Sequence, residues 1–181
     1  MGRYRARDLV NAPTLLSWAR VPLAASFPFF VARPWVCLAI LGAAALTDVL
    51  DGFVARRFGL ATPTGAVVDG VTDKLFVGTV LVTLLVSRHL APGDVVLLGT
   101  RELGELPLVL WIALSPAARG RKVDDRANAV GKAATTLQFA TIVATLVRSE
   151  LRVPSLYATA LVGAAAAVTY WVRALRAKRE A

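Results

Sequence analysis

Apolar residues fall along this chain in six long stretches, parted by short connections that carry charge, proline or glycine. The stretches run over about 14–31, 35–54, 65–86, 95–115, 129–147 and 154–175. Each approaches the roughly 20 residues that a helix needs to cross the hydrocarbon of a bilayer. Arg33-Pro34, Pro63-Thr64-Gly65, Ala91-Pro92-Gly93 and Val153-Pro154 mark breaks between them. The pattern predicts an all-α integral membrane protein with six transmembrane helices, built as a single membrane domain over residues 1–181. Composition agrees. Hydrophobic residues make up 56% of the chain, and the mean hydropathy is +0.60. A water-soluble domain of this size could not hide so much apolar surface.

The formal charge of +9 admits nucleic acid, anionic lipid or positively charged cytoplasmic loops as its cause. Position decides among them. With the N-terminus in the cytoplasm, that side holds Arg3, Arg5, Arg7, Arg56, Arg57, Arg119, Arg121, Lys122, Arg126, Arg173, Arg176, Lys178 and Arg179. The other side holds Arg33, Arg88, Arg148 and Arg152. This asymmetry predicts cytoplasmic N- and C-termini in a multi-pass protein of the cell (inner) membrane. It also accounts for the charge without nucleic acid, since the basic residues sit at membrane edges and are not interleaved with stacking aromatics. Trp18, Trp35, Trp111 and Trp171 lie near expected helix ends or within a turn or two of them, which fits an interfacial belt at least in part. Arg3, Arg5 and Arg7 look like the basic opening of a signal peptide. Asn11, Pro13 and Arg20 interrupt the apolar run that such a peptide needs next, so the segment is expected to be retained. Cys37 is the one cysteine and reads as a small buried hydrophobe, and His89 as a solvated loop residue.

The chemistry is concentrated between Thr47 and Lys74. Asp48 and Asp51 are three apart near the cytoplasmic end of the second stretch, and Asp69 and Asp73 four apart early in the third. On a helix both spacings put side chains on one face. The short connection containing Pro63 is expected to pack the two helices antiparallel and bring the pairs together. Four carboxylates in an apolar protein repel one another, and ionised carboxylates are costly to bury unless paired or metal-bound. Arg56, Arg57 and Lys74 are too few and too scattered to neutralise all four. Hard divalent cations with oxygen ligands, Mg²⁺, Mn²⁺ or Ca²⁺, fit this donor set. Gly52, Ala55 and Gly65 lie beside the acids, and small side chains there leave room for a diphosphate. A metal pair gripping a diphosphate is the arrangement for in-line displacement at phosphorus. A cation transporter or channel is the rival class, since intramembrane carboxylates also bind ions for transport. Transport does not require Gly52, Ala55, Arg56 and Gly65 at these spacings.

The pattern D-x2-D-G-x2-A-R-x8-G-x3-D-x3-D resembles in full the signature of the CDP-alcohol phosphatidyltransferases. Here it reads Asp48, Asp51, Gly52, Ala55, Arg56, Gly65, Asp69 and Asp73. The six-span layout is similar too. The resemblance implies two divalent ions, Mg²⁺ or Mn²⁺, one held by Asp48, Asp51 and Asp69 and the other by Asp48, Asp69 and Asp73. It implies space for the cytidine nucleotide at Gly52, Ala55 and Gly65, with Arg56 nearby. It implies Asp73 as the general base that deprotonates the acceptor hydroxyl, with CDP-diacylglycerol as donor and CMP as leaving group. The site would face the cytoplasm.

Weaker likenesses bear on the acceptor. The segment from Asn11 through Arg20 resembles the N-P-N-x-L-T-x-x-R opening of phosphatidylglycerophosphate and cardiolipin synthases. Arg101-Glu102 resembles an Arg-Glu pair in both, and Gly131 to Gln138 resembles their G-K-x-x-T-x-x-Q segment. A phosphate-bearing acceptor wants cationic contacts, and Arg101, Arg126 and Lys132 are the candidates. Glycerol 3-phosphate is the first expectation, phosphatidylglycerol the second, and inositol phosphate stays open. Bland readings stand beside these: a buried ion pair for Arg101 with Glu102 and Glu105, a snorkelling Lys132, and lipid headgroup binding by the loop around Arg126. Glu105 and Pro107 fall outside the family patterns, and the roles of Glu102 and Glu105 are left open. Gly163 with Ala164 to Ala167 is expected to be a packing surface, with a homodimer contact as one use.

Overall fold

The computed structural model describes residues 11–114 and 129–176. Among them every regular element is helical: α1 (Ala12–Trp18), α2 (Arg20–Ser26), a 3₁₀ turn (Phe27–Phe30), α3 (Pro34–Arg57), α4 (Pro63–Val86), α5 (Pro92–Leu98), α6 (Thr100–Leu114), α7 (Ala129–Leu146) and α8 (Arg152–Arg176). Proline opens α3, α4 and α5. In a first turn its missing N–H has no partner to lose.

Two expected spans are broken. Residues 14–31 form α1, α2 and the 3₁₀ turn rather than one helix. Pro22 has no N–H for the carbonyl of Trp18 and its ring crowds that carbonyl, so the helix is interrupted at Ala19; Pro28 acts likewise further along. Residues 95–115 divide into α5 and α6 at Gly99. Among the described residues, three helices are long and apolar enough to cross a bilayer: α3, α7, and α8 from Arg152 to Leu175. Helix α4 matches α3 in length at 24 residues but carries Asp69, Asp73 and Lys74.

The chain forms two compact units, Met1–His89 and Leu90–Ala181. In the first, α1 packs on both α3 and α4, and α2 packs on α4 and more lightly on α3. The two long helices therefore meet chiefly through α1 and α2, not by the direct antiparallel packing that the short connection led us to expect. The reason is the pair of breaks at Pro22 and Pro28, which make the first stretch compact enough to wedge between them. Phe27, Cys37, Leu41, Val80 and Leu84 form the core of this unit, each with 1% or less of its surface exposed. Cys37 is fully enclosed, its thiol 3.2 Å from the Phe30 carbonyl oxygen. In the second unit α8 is the hub on which α5, α6 and α7 pack. Gly163 sits against the Arg101 backbone, and Ala166 and Ala167 are buried. Ala164 and Ala165 face outward, so the small-residue run serves packing on one side only.

The turn that joins α3 to α4 sets up the site. Gly59 adopts φ +64°, the left-handed conformation that only glycine enters without cost. The Leu60 N–H then reaches back to the Ala55 carbonyl at 3.0 Å and closes α3. Arg56 and Arg57 lie in the last turn, where the helix dipole favours cations. Three residues after Gly59, the Thr62 hydroxyl accepts the Gly65 N–H at 3.1 Å and caps α4. Large apolar side chains cover the outside: Val49, Phe53 and Val71 are all more than half exposed. Lipid tails meet such a surface without the penalty that water would impose.

Candidate active site

Asp48, Asp51 and Asp69 each offer a carboxylate oxygen within 4.8 Å of the others. The first two come from the last turns of α3 and the third from the second turn of α4. Asp73 lies one turn further along α4, half-buried, and is not one of this trio. The side chain of Asp51 is only 8% exposed, whereas those of Asp48 and Asp69 are 56% and 43% exposed. One carboxylate is thus sealed and two are open to what lies outside.

At the centre of the three is Arg20, 1% exposed. Its Nη2 lies 3.0 Å from Asp48 Oδ1 and 2.5 Å from Asp51 Oδ2, and its Nη1 donates to Asp69 Oδ1 at 2.7 Å. The Ser17 hydroxyl donates to Asp51 Oδ2 at 3.0 Å. From the sequence, Arg20 belongs to an opening motif and interrupts a signal-like apolar run, and Arg56, Arg57 and Lys74 are too few to neutralise the acids. All three of those are exposed. A signal was there: Arg20 is the one charged residue of the stretch 14–31, and a buried guanidinium in an apolar segment needs an acidic partner.

Beside the trio lies a cleft of about 180 Å³. Asp51, Gly52 and Ala55 of α3 line one side, and Gly65 and Asp69 of α4 line another, with Thr14 of α1 between. A Cβ on Gly65 would stand 3.2 Å from the Thr14 hydroxyl oxygen and 3.1 Å from that of Thr62. A Cβ on Gly52 would stand 3.1 Å from Arg56 Nη1. The Arg56 guanidinium therefore lies over Gly52, at the edge of the small-residue wall. The donor set suits a small divalent cation, being all hard carboxylate oxygen. The way three carboxylates already converge on one positive group shows that the backbone can bring them to a shared cation.

The remaining candidates lie in the second unit. Arg101 Nη2 is 2.7 Å from Glu102 Oε1, and its Nε is 3.7 Å from Glu105 Oε1. Its Nη1 also donates to the Thr135 hydroxyl. Gln138 donates to Glu102 Oε2 at 3.3 Å and to the Leu98 carbonyl at 3.0 Å. Glu102 and Glu105 thus both face Arg101, in the ion pair that the blander reading described. Lys132 is exposed on α7, next to buried Gly131. Arg126 lies outside the described residues, as do Arg3, Arg5, Arg7, Arg119, Arg121, Lys122, Lys178 and Arg179. His89 is half-buried in the turn after α4, its Nδ1 2.9 Å from the Ser87 hydroxyl.

Two helices that end and begin at one turn thus bring three carboxylates beside a glycine-walled cleft. The family model for CDP-alcohol phosphatidyltransferase matches residues 10–171, and the chain belongs to that family. It is 36% identical over 137 residues to a probable phosphatidylglycerophosphate synthase of Mycobacterium tuberculosis, a match that covers 71% of this chain and 66% of that protein. It is 33% identical over 169 residues to a CDP-diacylglycerol--glycerol-3-phosphate 3-phosphatidyltransferase of Pectobacterium atrosepticum, covering 89% of this chain and 90% of that one. A shorter match, 46% identical over 82 residues, is to a cardiolipin synthase (CMP-forming) of Oryza sativa subsp. japonica, with 42% of this chain and 25% of that protein covered. Family membership, three apolar helices and bacterial phosphatidyltransferase relatives together make this chain a membrane transferase.

Proposed function

We propose that the chain transfers a phosphatidyl group from CDP-diacylglycerol to glycerol 3-phosphate and releases CMP. What supports this is the meeting of Asp48, Asp51 and Asp69 at a cleft walled by Gly52, Ala55 and Gly65. The near full-length likeness to a protein named for that reaction adds to it. The cleft takes the cytidine nucleotide, with Arg56 at its edge. Asp48, Asp51, Asp69 and Asp73 would hold two divalent ions, Mg²⁺ or Mn²⁺, which when bound supply charge neutralisation at the diphosphate. Asp73 accepts the proton of the acceptor hydroxyl. The freed oxygen forms a bond to the phosphatidyl phosphorus, and the bond from that phosphorus to the bridging oxygen breaks, so CMP leaves with the electron pair. Arg101, Arg126 and Lys132 are the candidate cations for the acceptor phosphate.

Residues 1–181 act as one domain in this reading. Six spans, α1 to the 3₁₀ turn counting as the first and α5 with α6 as the fourth, leave both termini and the site on the cytoplasmic side of the inner membrane. A homodimer in contact with membrane lipids is the expected form. Detergent-solubilised protein with CDP-diacylglycerol, Mn²⁺ and labelled glycerol 3-phosphate tests the proposal. Labelled phosphatidylglycerophosphate and CMP in equal amounts are expected. Turnover with phosphatidylglycerol in its place would move the assignment to cardiolipin synthesis, the second reading that the rice relative favours. No turnover with either acceptor would overturn both.

A further inference from the structure

We infer that Arg20 is a built-in counter-cation of the acid cluster, holding Asp48, Asp51 and Asp69 together before metal arrives and loosening their grip on it afterwards. The inference rests on the metal-site reading proposed above and goes beyond it, because it assigns a positioning role to a residue outside the eight-position motif.

Both terminal nitrogens of Arg20 are committed to carboxylates, across the gap between α3 and α4. Its Nε makes no hydrogen bond among the described residues. The side chain is therefore placed for its two prongs, and a single ammonium could not reach acids on two helices in the same way. Arg20 is not among the residues that line the cleft. It is sealed behind the acids, so it acts on them and not on the nucleotide. Each carboxylate has two oxygens and can touch Arg20 with one while offering the other outward. This fits the exposure of Asp48 and Asp69.

Charge alone has two consequences here. Without a cation the three acids, within 4.8 Å of one another, would repel and splay apart. Arg20 offsets that repulsion, so that it keeps the ligand geometry when no metal is bound. Once metal is present, the same positive charge stands behind the ligands and opposes it. Affinity is then lower than that of a bare carboxylate cluster, and the ions keep more of their pull for the diphosphate.

The test uses full-length protein in detergent, with Arg20→Gln and Arg20→Lys beside wild type. Melting is followed in EDTA and in Mn²⁺, and Mn²⁺ affinity is measured by electron paramagnetic resonance with no substrate present. Arg20→Gln is expected to melt roughly 5 °C or more below wild type in EDTA, given the size of single-residue effects in a chain this long. The gap should close in Mn²⁺, and the ion should bind about tenfold tighter, as linkage requires when metal stabilises the variant more. Arg20→Lys should fall between the two. Mn²⁺ affinity equal to or below wild type in Arg20→Gln overturns the inference, as does unchanged melting in EDTA. If Arg20→Gln does not fold, Arg20→Lys decides on the same affinity criterion. Wild type that binds no Mn²⁺ would end the metal reading itself. Wild type that binds, with variants that bind no tighter, would sink the role of Arg20 alone.

Discussion

Ser17 and Asp51 stand 34 residues apart in the chain and are joined by a 3.0 Å hydrogen bond from hydroxyl to carboxylate. That contact ties the end of α1 to the last turns of α3 and fixes the one acid of the trio that is sealed from solvent. With Arg20 on the same oxygen, Asp51 is aimed from two sides.

Ser17→Ala removes the hydroxyl without changing much volume. Hydrogen bonds to charged groups contribute roughly 1.5–3 kcal/mol, so the variant is expected to melt several degrees lower in detergent. The Mn²⁺ concentration for half-maximal activity should rise severalfold. A variant indistinguishable from wild type on both measures would show that Asp51 needs no help from α1.

Asp69 is the acid that α4 contributes to the trio. Asp69→Asn keeps the shape and removes the charge. Turnover is expected to fall by about 10³-fold or more, in the range for losing a group that stabilises transition-state charge, with the helical circular dichroism unchanged. Near-normal CMP release would count against the metal assignment.

A Cβ on Gly65 would meet Thr14 of α1 and Thr62, the cap of its own helix, and one on Gly52 would meet Arg56. Gly65→Ala puts a methyl 3.2 Å from a buried threonine on another helix, which has little room to move. Gly52→Ala meets only the far end of a flexible arginine. The KM for CDP-diacylglycerol is therefore expected to rise about tenfold in the first, consistent with roughly 1–2 kcal/mol of overpacking, and far less in the second. Equal effects at both positions would mean that the cleft wall is not what limits the nucleotide.

Lys132 is the exposed member of the acceptor candidates within the described residues. Lys132→Ala should raise the KM for glycerol 3-phosphate about tenfold, the scale of one charge-assisted contact, and leave the KM for CDP-diacylglycerol alone. An unchanged KM for the acceptor would return Lys132 to a snorkelling role.

Arg148 ends α7 with φ 53°, a conformation that costs residues with a Cβ about 1–2 kcal/mol. The Ser149 N–H returns to the Ala144 carbonyl at 2.9 Å, as in a glycine-terminated helix. Arg148→Gly is expected to stabilise by about 0.5–1 kcal/mol after the unfolded-chain entropy of glycine is allowed for, seen as a higher melting temperature with activity unchanged. A lower melting temperature would mean that the arginine side chain contributes more than its backbone costs.

Much of the site was legible in the order of residues. Asp48, Asp51, Gly52, Ala55, Gly65 and Asp69 are close in sequence, flank one turn and sit on helices whose periodicity fixes which face each occupies. Helix α3 and the paired helices α7 and α8 were legible for the same local reason: each is an unbroken apolar run. The interruptions were less so. Pro22, Pro28 and Gly99 stand in plain view, yet whether a proline kinks a span or divides it depends on what packs at the break.

The sequence alone determined the membrane character, the helical class and the pairing of acids across a short turn, because each is set by residues within a few turns of one another. Only the tertiary structure decided what lies between α3 and α4. The first stretch, folded into α1 and α2, fills that space and delivers Ser17 and Arg20 to Asp51, Asp48 and Asp69. No local pattern encodes such a contact. It arises because the buried charge of Arg20 and the buried carboxylate of Asp51 are each costly apart and are satisfied together, with Asp48 and Asp69 drawn to the same guanidinium.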